Sequence, residues 1–381
     1  MRNMKSIGEI WTWGANSHGQ LGLDITSEQI EKPTKVVTEF SDAIKHIACG
    51  GAHSLLLDCQ GKLFSCGWNS KGQLGHKKDI YTFSRIWELS GINFINISCG
   101  WDFSCAVTDD NFLFVWGSNS HGQLGLPKKH FGDTIAPFRL QVNVCSISMG
   151  LRHTAMINSK GEVWATGCGR HGQLGLGEDI TSSDRFQRIP KLTKISHIAC
   201  GQNHTVGWSS EEKALYVWGE NKHGQLLLNS QEYRKIFVPQ KIDINVKKDV
   251  KKLLSGWTNV LLWLQDGSLL TWGRNNKAQL GTGAPFTGKI INIKLPDNRY
   301  VEDVALGSEH TICLATDKTL WAWGWNEHAN TGLPCTAEVI SCPTQVKIET
   351  NSTINWIFAG GAHNFVVTDS NKESGCNDID K

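Results

Sequence analysis

The chain has 381 residues, with 38 Lys plus Arg against 36 Asp plus Glu, a net charge of +2. That balance argues against a protein built mainly to hold a polyanion, so no nucleic-acid partner is expected. A hydrophobic share of 40% with only 19% charged residues excludes a disordered chain, and 39 Gly favour turns over helices.

Met1-Arg2-Asn3-Met4-Lys5-Ser6-Ile7-Gly8 runs straight into Ile10-Trp11-Thr12-Trp13, with no apolar stretch of signal-peptide length. The most apolar segment, residues 253–264, is too short to span a bilayer. A soluble intracellular protein without integral membrane association is expected. Residues 9–13 read as a strand with no hairpin partner before it. The Gly-dense loop Asn16-Ser17-His18-Gly19-Gln20-Leu21-Gly22 follows. Further on, the apolar run His53-Ser54-Leu55-Leu56-Leu57, the turn Asp58-Cys59-Gln60-Gly61 and the return run 62–66 form a hairpin. The same hairpin recurs at 154–165 and 260–271, and the Gly-dense loop recurs at 119–125.

These elements belong to a repeat. An aromatic or small residue followed by Gly recurs at Gly14, Gly67, Gly117, Gly167, Gly219, Gly273 and Gly324, at spacings of 50 to 54. A second mark runs out of phase. It is Gly-x-x-His at His53, His153, His204, His310 and His363, with Phe103 and Asn259 in the His place of the other two copies. Seven units of about 50 residues and about four strands each predict an all-β chain, a seven-bladed β-propeller. The last Gly-x-x-His strand, 363–368, has no return strand after it, and 9–13 has no partner before it. Pairing the two closes the ring in one blade and hides two sheet edges. The expected domain is a single propeller over 1–369, with a polar, frayed tail over 370–381. Trp13, Trp116, Trp218, Trp272 and Trp323 precede the repeat Gly and are expected to fill the gaps between blades. Cys49, Cys99 and Cys200 occupy equivalent places and read as small apolar residues, since no zinc-ligand spacing is present.

The combination of Gly-x-x-His, Trp-Gly and Asn-x-x-Gly-Gln-Leu-Gly, seven times over, resembles the regulator of chromosome condensation repeat. That family is made of seven-bladed propellers, and its founding member is a guanine nucleotide exchange factor for a small nuclear GTPase. Kelch propellers share the period, but their double Gly stands here only at Gly50-Gly51 and Gly360-Gly361. Blade-specific stretches, such as Cys99-Gly100-Trp101-Asp102-Phe103 and Trp323-Gly324-Trp325-Asn326-Glu327-His328, look like a cytosolic and nuclear branch linked to secretion. The resemblance implies a small GTPase partner, an exocyst subunit as a further partner, and a cytoplasmic and nuclear location.

No catalytic residue, metal site or cofactor is expected. Gly283-Ala284-Pro285-Phe286-Thr287-Gly288-Lys289 nearly spells a phosphate-binding loop, but Ile290 stands where the magnesium-holding hydroxyl belongs. Gly167-Cys168-Gly169-Arg170-His171-Gly172 spells a dinucleotide fingerprint, yet it is the repeat loop and opens no helix. One His per blade spreads the histidines around a ring, so each is read as structural and bonded to neighbouring backbone. The two residues between Gly and His should line one face of the ring. There Trp101, Asp102, Arg152, Asn203, Trp257, Thr258 and Glu309 are the candidate partner-binding residues, with Asp102 foremost. The resemblance implies the same, because these turns contact the GTPase in the founding exchange factor. Two departures from the founding member count against exchange on its nuclear GTPase and against chromatin docking, and the first of them favours a non-catalytic scaffold as the alternative. The founder inserts a short wedge in the loop after one return strand and carries a basic N-terminal tail, whereas the matching loop here, Ser118-Asn119-Ser120-His121-Gly122, has repeat length, and only Arg2 and Lys5 are basic ahead of the first strand. Chromatin docking is therefore not expected. The run Lys247-Lys248-Asp249-Val250-Lys251-Lys252 reads as a solvated face. A closed ring has no need of a second copy, and a monomer is expected.

Overall fold

The structure is a computed structural model that describes residues 8–37, 42–284 and 288–369. The expected tail over 370–381 lies outside the described residues, as do 285–287 of the phosphate-loop look-alike.

Seven four-stranded antiparallel sheets form the ring, so the all-β propeller inferred from the repeat is the observed fold. Blade 1 consists of Ile44–Cys49, His53–Asp58, Leu63–Gly67 and Ile80–Arg85, from the axis outward. The innermost strands of blades 2 to 7 are Phe94–Cys99, Ser146–Met149, His197–Cys200, Val250–Ser255, Val301–Leu306 and Ile354–Ala359. Their ends line a central cavity of about 340 Å³. The second strand of each blade is sandwiched on both faces. All residues of His53–Asp58, Phe103–Thr108, His204–Ser209, Asn259–Leu264, His310–Ala315 and His363–Thr368 are buried. This explains why these strands read as continuous apolar runs rather than as alternating ones. No helix among the described residues is long and apolar enough to cross a membrane.

Blade 7 closes the ring as the offset of the two marks required. Its order is Gln29–Lys35, Ile10–Ala15, His363–Thr368, Ile354–Ala359. The register runs Ile10 to Val367, Thr12 to Phe365 and Gly14 to His363. The Thr12 hydroxyl donates to the Asn364 carbonyl at 2.9 Å.

The repeat Gly sits where the third strand bulges away from the fourth. Gly167 has φ +108°, and a Cβ there would come within 2.5 Å of the Arg152 carbonyl oxygen. Gly167→Ala is expected to cost about 3 kcal/mol, from an unfavourable backbone angle plus a collision with backbone. Gly91→Ala, at φ +83° but in open space, serves as the control and is expected to cost about 1 kcal/mol. Urea midpoints measure both; equal losses would remove the steric part of this explanation.

Candidate partner-binding face

The Gly-x-x-His turn is built by contact between its own ends. A Cβ on Gly50, Gly201 or Gly307 would fall 2.0 to 2.2 Å from the imidazole carbon of the following His. The Gly therefore lets the ring lie flat over the turn, and the ring reaches the next blade. His53 Nε2 meets Ser104 Oγ, His153 meets Thr205 Oγ1, and His363 meets Ser54 Oγ, each at 2.9 Å. His204 meets Ser255 Oγ at 3.1 Å, and His310 meets Asn364 Oδ1 at 2.8 Å. The histidines are structural, but their partners are side chains of the next blade rather than backbone. Ser54, Ser104 and Thr205 already donate their hydroxyl protons to the Gln20, Gln73 and Gln173 carbonyls. The imidazole Nε2 must then be the donor, which leaves Nδ1 as a bare lone pair. All five Nδ1 atoms are buried without a partner. Burial holds these rings neutral, with pKa values lowered to about 3 for His53, His204 and His363 and about 4 for His153 and His310. Among the described residues no group of His, Cys, Asp or Glu is placed to hold a metal ion.

The expected Trp role is observed. Trp116 and Trp218 are fully buried, and their indoles donate to the Gln73 and Gln173 carbonyls of the preceding blade at 2.8 and 2.9 Å. Trp13, Trp272 and Trp323 do the same to Asn330, Gln225 and Gln279. Of the equivalent cysteines, Cys200 is buried, while Cys49 and Cys99 are half-buried along the central cavity.

With these contacts holding the blades, the variable turn residues gather at one mouth of the cavity. Backbone bonds link successive turns: Gly51 N–H to Trp101 O, Gln202 N–H to Trp257 O, Trp257 N–H to Ser308 O and Gly361 N–H to Gly50 O, at 2.8 to 2.9 Å. Trp101 and Trp257 come from blades 2 and 5, yet their rings meet over the opening, with centroids 5.2 Å apart at 49°. Asp102 is half-buried. Burial pushes its carboxyl above the ordinary range, and the Asp133 charge adds to this; the Ser118 hydroxyl, Arg152 and Lys71 act against it. Arg152 is exposed. Asn203 donates to Glu220 at 3.3 Å. Thr258 and Glu309 are only 4% and 8% exposed. Glu309 pairs with Arg274 at 2.8 Å, and its carboxyl is nevertheless raised by burial. Thus Trp101, Asp102, Arg152, Asn203 and Trp257 present surface at the mouth, while Thr258 and Glu309 lie beneath it.

Sequence reasoning missed a second ring. The residue after each repeat Gly donates its N–H to the carbonyl of the second turn residue, as in Trp68 to Ala52, Ser118 to Asp102, Arg274 to Thr258 and Trp325 to Glu309, at 2.9 to 3.0 Å. This places Trp68, Glu220, Arg274 and Trp325 on the same face. His18 packs on Trp68 and His328 on Trp325, with centroids 5.3 and 5.2 Å apart. The available signal was the variability of this position beside an invariant repeat Gly. The Lys247 to Lys252 run lies elsewhere. Lys252 pairs with Asp303 at 2.7 Å, and the Lys251 ammonium sits 3.5 Å from the Trp263 ring centroid.

A family profile described as RCC1-like domain matches residues 5–366. The secretion-regulating guanine nucleotide exchange factor of Mus musculus is 31% identical, over 94% of this chain and 83% of that protein. Its Bos taurus counterpart is also 31% identical, over 87% and 77%. Among solved structures, Prp20p from Saccharomyces cerevisiae, studied for its binding to Gsp1p and histones, superposes with a TM-score of 0.85 at 21% identity. The match covers 97% of this chain and 94% of that one.

Proposed function

The chain belongs to the RCC1-like domain family, and on that premise we propose that it is a guanine nucleotide exchange factor-like protein for a small GTPase, acting in secretion. The observation that carries this reading is the 31% identity to a secretion-regulating exchange factor along 94% of the chain. The partner sits on the mouth formed by the Gly-x-x-His turns, against Trp101, Asp102, Arg152, Asn203 and Trp257, with Thr258 and Glu309 supporting the turns from below. An aromatic pair sharing a face with Asp102, Arg152 and Arg274, with Glu309 beneath, has the composition of an interface hot spot. Such a protein makes no covalent bond. It binds the nucleotide-free GTPase more tightly than the loaded form, and that difference speeds nucleotide release. The protein works as a monomer in the cytoplasm and nucleus, and an exocyst subunit is a second partner.

One observation favours a scaffold that binds a partner without exchange. The loop Asn119 to Gly125 keeps the repeat's length and its repeat hydrogen bonds, with Leu124 N–H to Asn119 Oδ1 and His121 N–H to Gln123 Oε1, so no wedge projects from it. Affinity capture from lysate separates the two readings when run once with EDTA and once with magnesium and a GTP analogue. A small GTPase recovered only from the stripped sample is the expected result. An Asp102→Ala, Arg152→Ala chain should recover roughly tenfold less of it. The same non-GTPase partners under both conditions would replace exchange by scaffolding, and full recovery by the variant would place the partner on another surface.

A further inference from the structure

Five of the seven junctions between blades carry a histidine clamp. The two without one follow blade 2, where Phe103 stands, and blade 5, where Asn259 stands. Asn259 is too short to reach blade 6. Its Oδ1 and the Thr311 hydroxyl, the position that receives the imidazole at four of the five clamps, are both buried and unpartnered. On blade 3 the equivalent Thr154 turns its hydroxyl to the Gln123 carbonyl alone. These same two blades supply the only tryptophans among the seven Gly-x-x-His turns, Trp101 and Trp257, and the two rings touch across the mouth. Blades 2 and 5 stand three apart in a ring of seven, so the contact runs close to a diameter. It joins blades 3 to 5 with blades 6, 7, 1 and 2, the two groups that meet at the junctions without a histidine clamp. Trp101 also lies over the turn of blade 1, where a Cβ on Gly51 would meet the indole at 2.6 Å.

We propose that Trp101 and Trp257 are positioning residues, a brace across the mouth that stands in for the two missing histidine clamps and holds the turns bearing Asp102 and Thr258 in register. A tilted indole pair stabilises beyond the area it buries, and it acts between elements that no backbone bond connects. The consequence for partner binding rests on the reading of the mouth as the partner face; the brace itself does not.

The test uses the full chain without a partner. Urea midpoints are compared for Trp257→Ala in the natural sequence and in an Asn259→His background. The added imidazole there has the room that Gly256 leaves and can donate to Thr311. The Trp257→Ala drop is expected to be less than half as large in the Asn259→His background, and equal drops overturn the brace. Should Asn259→His fail to fold, the Trp101→Ala and Trp257→Ala cycle decides: drops that do not add support the brace, and drops that add overturn it. Hydrogen exchange gives a readout that a local packing role would not move. Trp257→Ala should speed exchange of the Gly100 amide, which donates to the Phe103 carbonyl on the opposite blade, about tenfold, and Trp257→Phe should restore most of the protection. Acceleration confined to blade 5 overturns the proposal. Partner capture that survives Asp102→Ala, Arg152→Ala would sink the partner face and leave these results standing.

Discussion

A chain lacking residues 1–14 is expected to show no cooperative thermal transition above about 37 °C. The deletion takes out most of the strand Ile10–Ala15, which lies between two neighbours in blade 7. His363–Thr368 becomes an open edge, and Gln29–Lys35 loses its only partner strand. Trp13 is fully buried and bonded to the Asn330 carbonyl, and Trp11 is 9% exposed. Losing a buried Trp costs about 3–5 kcal/mol, so two cost roughly 6–10 kcal/mol before the ladder is counted. That is comparable with the whole stability of a typical domain, about 5–15 kcal/mol. Near-ultraviolet circular dichroism during heating measures it. A midpoint within about 3 °C of the intact chain would show that the ring is held shut by something other than this strand.

Acid should unfold the protein well above the pH at which its carboxylates titrate. His53, His153, His204, His310 and His363 are held neutral by burial, with folded pKa values of about 3 to 4 against 6.5 when exposed. Above pH 6.5 neither state binds these protons, and stability does not depend on them. As pH falls below 6.5 the unfolded chain takes up protons that the folded chain refuses, so stability falls until the folded values are reached. At pH 5 each histidine contributes a loss of about 2 kcal/mol, and five together about 10 kcal/mol. The expected result is a urea midpoint that drops steeply between pH 6 and 5, corresponding to uptake of about five protons by these histidines on unfolding, with a sixth from His46, whose pKa burial also lowers to about 4. His310→Gln keeps a donor for Asn364 and should reduce that uptake by about one. A midpoint unchanged from pH 7 to 5 would mean that the imidazoles are charged or exposed in the folded ring.

Both expectations draw on features that were visible in the sequence to different degrees. The ring closure was legible, because an unpaired strand at 9–13 and another at 363–368 leave one economical solution. The burial of Trp13, Trp116 and Trp218 was legible too, since a large residue before each repeat Gly has one place to go. The histidines were legible as structural but not in their partners. Ser104 and Thr205 lie 51 and 52 residues from the imidazoles they receive. Nothing local marks a serine as an acceptor in the next blade. The second ring of Trp68, Arg274 and Trp325 was hidden for a similar reason, because its place depends on a backbone bond to a turn in the neighbouring strand.

The sequence by itself determined the period, the strand pattern within each unit, the number of blades and the pairing of the termini. Each of these follows from spacing along the chain, and a repeat enforces the same local geometry every time it occurs. Tertiary structure alone decided that Trp101 meets Trp257, that Glu309 lies under the face against Arg274, and that the two junctions without a histidine are bridged across the opening. Those contacts join residues that the blades bring together only when the ring curves shut. Curvature is a sum over all seven sheets, and no single stretch of sequence encodes it.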